Sequence, residues 1–327
     1  MTSIQSTFPD LASALRAASR SPLARELHRA LARVPRGERV VVAASGGADS
    51  TALAVLAVAV APRGAWTIRL ATVDHGLRAS SVGDADSVEA LARWLGVRCD
   101  RRRVRVQPGA RLAARARVAR YGALIAAADE AGASTILLAH HAEDQLETML
   151  MRLVRGAGPS AVGGMPMRRA LAPGLSLLRP LLERSRAECR ALLERLGVPW
   201  CEDPTNADRL RVRGRLRHEV LPVLEALRPG AAVRASRAAR RVRGAASVLK
   251  VRARRLLQGV GPWDRSALRR APREVLAQAL RMRLPRVSEA SLERMVESIR
   301  SSEVEPRRFQ SHGEVLQVRA REVRLER

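Results

Sequence analysis

This sequence predicts an α/β protein, a doubly wound parallel sheet followed by a smaller, mainly helical C-terminal domain, on three observations. Short apolar runs alternate with alanine-rich helical patterns over the first two-thirds of the chain. The first of these runs breaks into a Ser-Gly-Gly-Ala-Asp-Ser turn that opens a helical stretch. From about Leu181 the strand patterning fades and basic helical periodicity replaces it. With 327 residues the chain exceeds one typical domain, so two folding units are expected.

Taken in order, strands are expected at Arg39 to Ala44, Thr67 to Val73, Val97 to Val106 and Thr135 to Ala139. Helices are expected at Asp49 to Val60, Ser81 to Leu95, Ala110 to Ala131 and Glu143 to Val154. This alternation implies βαβ units with helices on both faces, and such sheets bind ligands beyond the carboxyl ends of their strands. Pro229 and Gly230 interrupt a long Arg-rich helical pattern. The pattern divides the chain into a first domain over 1–220, a helical linker over 221–245 and a small basic domain over 246–327. Apolar and polar residues alternate around Val315 to Val323, which predicts a terminal hairpin.

Composition narrows the chemistry. Lys and Arg number 59 against 32 Asp and Glu, a net charge of +27 that would attract a polyanion, with RNA or DNA first. A solvated basic surface is the simpler explanation of the same count. Lys250 is the only lysine, so a Walker A loop, which needs a lysine after its glycines, is excluded. Cys99, Cys189 and Cys201 are scattered, with no C-x-x-C pair, which argues against zinc ribbons, iron-sulfur clusters and disulfide scaffolds and fits a reducing cytoplasm. No apolar stretch is long enough to cross a bilayer, so no membrane partner is expected.

The glycine-rich turn carries the most specific signal. After a buried strand, small residues let the backbone approach a ligand, hydroxyls can donate hydrogen bonds, and the free N–H groups of a helix start carry partial positive charge. Ala44, Ser45, Gly46, Gly47, Ala48, Asp49 and Ser50 therefore read as an anion site that needs no cationic side chain. A capped strand-to-helix turn, with Ser and Asp as caps, accounts for the same residues less specifically.

Other segments stand where ligands are expected. VDHGLRASS at 73–81 places Asp74, His75 and Arg78 just after the second strand. ARVARY at 116–121 puts Arg117 and Arg120 on one helical face, suited to clamping phosphate or carboxylate. LLAHHAEDQLETMLMRLVRGAG at 137–158 carries His140, His141, Glu143, Asp144 and Glu147. Of these, His140, His141, Asp144 and Glu147 read as ligands of a divalent ion, with Mg²⁺ shared with phosphate oxygens favoured over zinc. In the alternative, His141 starts a helix and Glu147 pairs with Arg152 or another basic neighbour. RPLL at 179–182, WCEDPTN at 200–206 and RVRGRLRHEVLP at 211–222 follow, carrying Asp203, Asn206, Arg213 and Arg217. The Arg-rich stretch from Arg234 to Arg255 is the expected polyanion surface, or else a solvated helix.

The loop resembles the pyrophosphate loop of the N-type ATP pyrophosphatases, whose fold is adenine nucleotide alpha hydrolase-like. Over residues 38–225 the ordered series of motifs resembles the tRNA(Ile)-lysidine synthetases. The resemblance implies ATP-dependent ligation of free L-lysine to C2 of the wobble cytidine in the CAU anticodon of tRNA(Ile), through an adenylated intermediate. ATP and Mg²⁺ are the implied cofactors, and a homodimer is left open. It assigns catalysis to Asp49, Asp144, His141 and Arg117, with Asp144 or His141 as the base, and nucleotide binding to Ala44 through Ser50 together with Asp74 and His75. Substrate contacts fall to Arg120, Glu143, Glu147, Arg213 and Arg217, and Mg²⁺ to Asp49 and Asp144. Three positions depart from the family pattern: Ala113 replaces a glutamate, Gly214 an asparagine, and Glu143 stands first in a usual pair of acids. Two rivals remain, tRNA 2-thiolation by the same adenylation chemistry and a non-catalytic RNA-binding module.

Overall fold

A computed structural model describes residues 8–74, 81–106, 109, 112–202, 212–259, 261–303 and 305–326. The chain forms two compact units, Met1–Arg240 and Arg241–Arg327. The first begins with two helices, α1 (Leu11–Ser19) and α2 (Pro22–Leu31). Asp10 caps α1 by accepting from the Ser13 amide, and Ser21 caps α2 ahead of a proline in its first turn. Then follow β1 (Arg39–Ala43), α3 (Ala48–Gly64), β2 (Thr67–Asp74), α4 (Ser81–Leu95), β3 (Arg98–Arg103), α5 (Leu112–Ala131), β4 (Thr135–Leu137) and α6 (Ala142–Leu153). The expected alternation is present, with ends shifted by a few residues.

The short α7 (Pro159–Val162) leads to β5 (Arg168–Ala172), β6 (Leu175–Leu178) and α8 (Arg186–Leu196). The β5–β6 hairpin was not expected from the sequence, although Pro173-Gly174 is a turn signal between two short runs. The unit continues through α9 (Val212–Arg215), a π-helical stretch at Leu216–Val220, α10 (Leu221–Leu227) and the start of α11 (Ala231–Leu256).

The sheet order is β3-β2-β1-β4-β6-β5, with every pair parallel except β5 against β6. Successive residues of β1 face opposite sides. Val40 and Val42 join the core built by α2, α3, α4 and α8, while Val41 joins Leu124, Ala127 and Ala128 of α5 on the other face. Burial on both faces explains why β1 reads as an unbroken apolar run. Helix α3 is apolar nearly all round, through Ala52, Leu53, Ala54, Val55, Leu56 and Ala57, and is accordingly buried on nearly all sides.

In the second unit, α11 is followed by β7 (Trp263–Asp264), α12 (Arg265–Arg270), α13 (Arg273–Arg283), α14 (Glu289–Arg300), β8 (Arg307–Ser311), β9 (Glu314–Val318) and β10 (Glu322–Glu326). The expected hairpin is β9–β10, with Val318 opposite Val323. It belongs to a four-stranded antiparallel sheet, β7-β10-β9-β8, packed with the helices around Leu276, Met295 and Ile299. Arg265 is 4% exposed and donates to the carbonyls of Ser298, Ile299, Ser301, Glu303 and Arg319 at 2.8, 3.2, 2.9, 2.8 and 3.3 Å. It thereby satisfies carbonyls that the end of α14 leaves without partners. Arg265→Met should strand them and cost about 3 kcal/mol. Hydrogen exchange should then speed up in α14, β9 and β10 while β1, β2 and β4 stay protected.

Candidate active site

Between β1 and β4 the strand order reverses, and the loops after these two strands diverge to leave a crevice. A cavity of about 680 Å³ lies there, large enough for a nucleotide-sized ligand. Its floor is the turn from β1 into α3. Ala44 still donates to the Ala71 carbonyl at 2.9 Å, so the turn proper starts at Ser45. Gly46 adopts φ +82°, and a Cβ on it would lie 3.3 Å from the Asp84 carbonyl oxygen and 3.7 Å from Cys201 Sγ. Cys201 clasps the turn from outside, donating its amide to Gly46 O at 2.9 Å and bridging to Gly47.

Ser50 Oγ accepts from the Ser45 amide at 3.1 Å and donates to Gly47 O at 3.0 Å, while Thr51 Oγ1 donates to Gly46 O at 3.3 Å. The Ser50 hydroxyl therefore shapes the turn, contrary to the expectation that it points its proton at a ligand. Gly47 supplies no side-chain cap to α3. Ala48, Asp49 and Ser50 line the cavity at the uncapped helix start, where amides lack intrahelical partners. A helix start of this kind suits an anion.

Across the crevice, the loop after β4 delivers His140 and His141. His141 is the N-cap of α6, and its amide donates to Asp144 Oδ2 at 3.1 Å. Its ring sits among three carboxylates: Nδ1 is 2.9 Å from Glu143 Oε2, and Nε2 is 3.4 Å from both Asp49 Oδ2 and Asp144 Oδ2. Burial opposes a charge on this imidazole, but the carboxylates of Asp144, Asp49 and Glu143 outweigh it and push the pKa up to about 10. Burial likewise opposes the Asp144 charge, yet His141 and Arg213 hold that carboxyl down at about 2. His140 is different, because burial dominates and lowers it to about 3.

Glu143 and Glu147 do not line the cavity. Both Glu143 oxygens accept the Arg186 amide at 3.1 Å, tying the start of α6 to the first turn of α8. Glu147 is 0% exposed and accepts Arg213 Nε at 2.5 Å and Arg217 Nε at 2.8 Å. The same arginines reach Asp144 Oδ1 at 3.1 and 3.4 Å, which pins α9 and the π-helical stretch onto α6. So His141 does start a helix and Glu147 does pair with basic neighbours. The partners are not Arg152, which donates to Ala161 O and Gly164 O at 2.6 and 2.9 Å.

Arg117 and Arg120 of α5 line a third side of the cavity, and Asp74 does so at the end of β2, with Oδ2 3.3 Å from Arg103 Nε. His75, Arg78, Asp203 and Asn206 lie outside the described residues. The sequence reading missed Arg186 and Arg190, one turn apart on α8, which line the cavity. Arg186 Nε is 3.6 Å from Asp49 Oδ2, and Arg190 donates to Glu202 at 2.9 and 3.0 Å. The Ser185–Glu188 capping box marks this helix start in the sequence, but nothing local shows that α8 packs beside the glycine turn.

Among the described residues, no group of three or more His, Cys, Asp or Glu side chains is arranged to hold a metal ion. Mg²⁺ needs no such cage, taking one or two carboxylates with phosphate oxygens and waters. Asp49 fits that requirement, since its Oδ1 is buried without a hydrogen-bond partner at the cavity wall. Asp144, expected to share the ion, has both oxygens engaged by Arg213, Arg217 and His141.

Comparison with known proteins bears on this arrangement. A PP-loop domain family matches residues 20–224. The tRNA(Ile)-lysidine synthase of Salinispora arenicola is 46% identical over 244 residues, covering 72% of this chain and 72% of its own. That of Bordetella parapertussis is 41% identical over 270 residues, covering 80% and 77%. This chain belongs to the tRNA(Ile)-lysidine synthase family. The solved U34-tRNA thiolase of Methanococcus maripaludis, with its 4Fe-4S cluster, aligns with a TM-score of 0.57 at 17% identity over 68% of this chain and 78% of that one. At that identity the likeness extends to the fold alone. The lysidine synthase relatives extend the match to sequence over most of the chain, well beyond the glycine turn.

Two expectations follow from the geometry. Gly46→Ala should strain the left-handed turn by about 1 kcal/mol and weaken ATP binding at least tenfold, as read by calorimetry on protein of unchanged circular dichroism. His141 has a folded pKa above its ordinary 6.5, so the stability it lends is complete below that value and is lost as pH rises through about 10. Imidazole ¹⁵N shifts should show His141 protonated, and His140 neutral, throughout pH 6 to 8.

Proposed function

We propose that this chain ligates free L-lysine to C2 of the wobble cytidine in the CAU anticodon of tRNA(Ile), converting ATP to AMP and pyrophosphate. The observation that carries the reading is the uncapped start of α3, facing an ordered His–carboxylate–arginine cluster across a nucleotide-sized cavity, in a member of this family.

The chemistry divides into two displacements. Cytidine O2 attacks the α-phosphate and expels pyrophosphate, which makes C2 electrophilic; the lysine ε-amine then bonds to C2 and AMP leaves with the oxygen. The amides from Gly46 to Ser50 suit the departing pyrophosphate, because preorganised dipoles stabilise charge as it develops. Arg186 stands beside Asp49 on the same wall and adds a fixed cation. Mg²⁺ held by Asp49 would supply charge neutralisation on the phosphates. Asp144, kept ionised by its neighbours, holds negative charge at the cavity wall. His141 already carries a proton at neutral pH, so it serves as a fixed positive charge rather than as the base.

The tRNA backbone has a candidate path along α11. Ala232, Ser236, Ala239, Ala246 and Ala253 are its buried stripe, and Arg234, Arg237, Arg241, Arg252, Arg254 and Arg255 are exposed. No helix among the described residues is long and apolar enough to cross a membrane. A cytoplasmic location follows from the tRNA substrate, and the three free cysteines fit it.

Mass spectrometry of tRNA incubated with the protein, ATP and lysine tests the reading. The expected product is heavier by lysine minus water; incorporation of labelled sulfur instead would establish thiolation, and no AMP release would leave only RNA binding. Asp49→Asn should cut AMP formation by about 10²-fold while tRNA affinity stays unchanged.

A further inference from the structure

Tyr121 is the only tyrosine in the chain, and it is ringed by arginines. The guanidinium carbons of Arg117, Arg169 and Arg120 lie 5.1, 5.3 and 5.9 Å from its ring centroid, and Arg117 Nη2 donates to its hydroxyl at 3.1 Å. Arg179 stands beside the same phenol, 2% exposed, with Nη1 donating to Pro166 O at 2.8 Å. The Nε atoms of Arg120 and Arg179 are buried without a hydrogen-bond partner. Among the described residues, no carboxylate makes an ion pair with any of these four arginines.

That arrangement is costly as it stands. Burial lowers the pKa of both Arg120 and Arg179, and the neighbouring charge of Arg117 adds to the same effect in each. Contact with one ring face offsets only about 0.5–1 kcal/mol per exposed cation. Like charges held together by a fold, with no carboxylate in ion-pair contact and only Asp144 acting at longer range on Arg120, suit an anion.

Position identifies which anion. Arg117 and Arg120 line the cavity, whereas Arg169, on the edge strand β5, is exposed and outside the cavity wall. The cluster thus runs from the interior of the site to the surface. A free nucleotide seated on the glycine turn has no need of the outer half; a polyanionic strand that sends one nucleotide inward and leaves its neighbours outside does.

We propose that Arg169 and Tyr121, with Arg117 and Arg179, form a docking site for the phosphodiester backbone of the RNA strand next to the nucleotide that enters the cavity. The hairpin β5–β6 is then the rail on which that strand lies. This rests on the RNA-modifying function proposed above and names residues for the substrate side of the same site.

The test is Arg169→Ala compared with Arg168→Ala. Both remove one exposed positive charge from β5, but neighbouring strand residues face opposite sides, and Arg168 is held by Ser176 Oγ at 3.1 Å. Arg169→Ala should raise KM for tRNA about fivefold, leave KM for ATP and lysine unchanged, and flatten the log–log salt dependence of tRNA binding by about 0.7–0.9. Arg169→Lys should restore most of the slope, since an ammonium still meets a phosphate. Equal effects at 168 and 169, or no change in tRNA KM at 169, would overturn the proposal. A rise in KM for ATP instead would assign the cluster to the triphosphate and overturn it as well. Failure of the unaltered protein to modify tRNA at all would refute the function itself, and is seen before any variant is measured.

Discussion

The amides at the start of α3 have no cap, and that local deficit organises the rest of the first unit. They sit at the carboxyl end of the central strand, where the sheet reverses direction. To place them there, the chain needs a left-handed residue at 46 and a helix apolar enough to be buried on almost every side. Ser50, Thr51 and Cys201 then fix the turn, through its carbonyls and, at Ser45, through an amide. A side-chain cap at Gly47 would stabilise the helix and close the site.

Charge around this turn is closely balanced. Asp49, Glu143, Asp144 and Glu147 face His141, Arg186, Arg213 and Arg217 in one connected network. Removing either sign would leave a buried charge of the other uncompensated, which is why such networks specify geometry even where they add little net stability. Glu147 illustrates the division of labour. Being fully buried, it presents no carboxylate to the cavity, but it aims two arginines whose other donors reach Asp144. The arginines without an ion-pair partner are elsewhere, around the Tyr121 ring.

Some of this was legible without coordinates. Hydrogen bonds within a helix or a turn obey short spacings, so β1, the glycine turn, the common face of Arg117 and Arg120, and the α11 periodicity could be read directly. The caps at Asp10, Ser21 and Ser185 are equally local, and α1 and α2 were overlooked although those signals stand in the sequence. The short strands β5, β7 and β8 are of another kind, since each is stabilised by its sheet neighbours rather than by its own pattern.

By itself, the sequence determined the α/β alternation, the glycine turn between β1 and α3 and the family, because each depends on residues close together or in a fixed order. Only the tertiary structure decided that Glu143 bolts two helices together, that Glu147 turns inward to Arg213 and Arg217, and that Arg186 reaches Asp49. Arg213 and Arg217 lie 66 and 70 positions from Glu147. No local spacing encodes such a pairing; it arises when α9 packs on α6 and the buried carboxylate must find a partner.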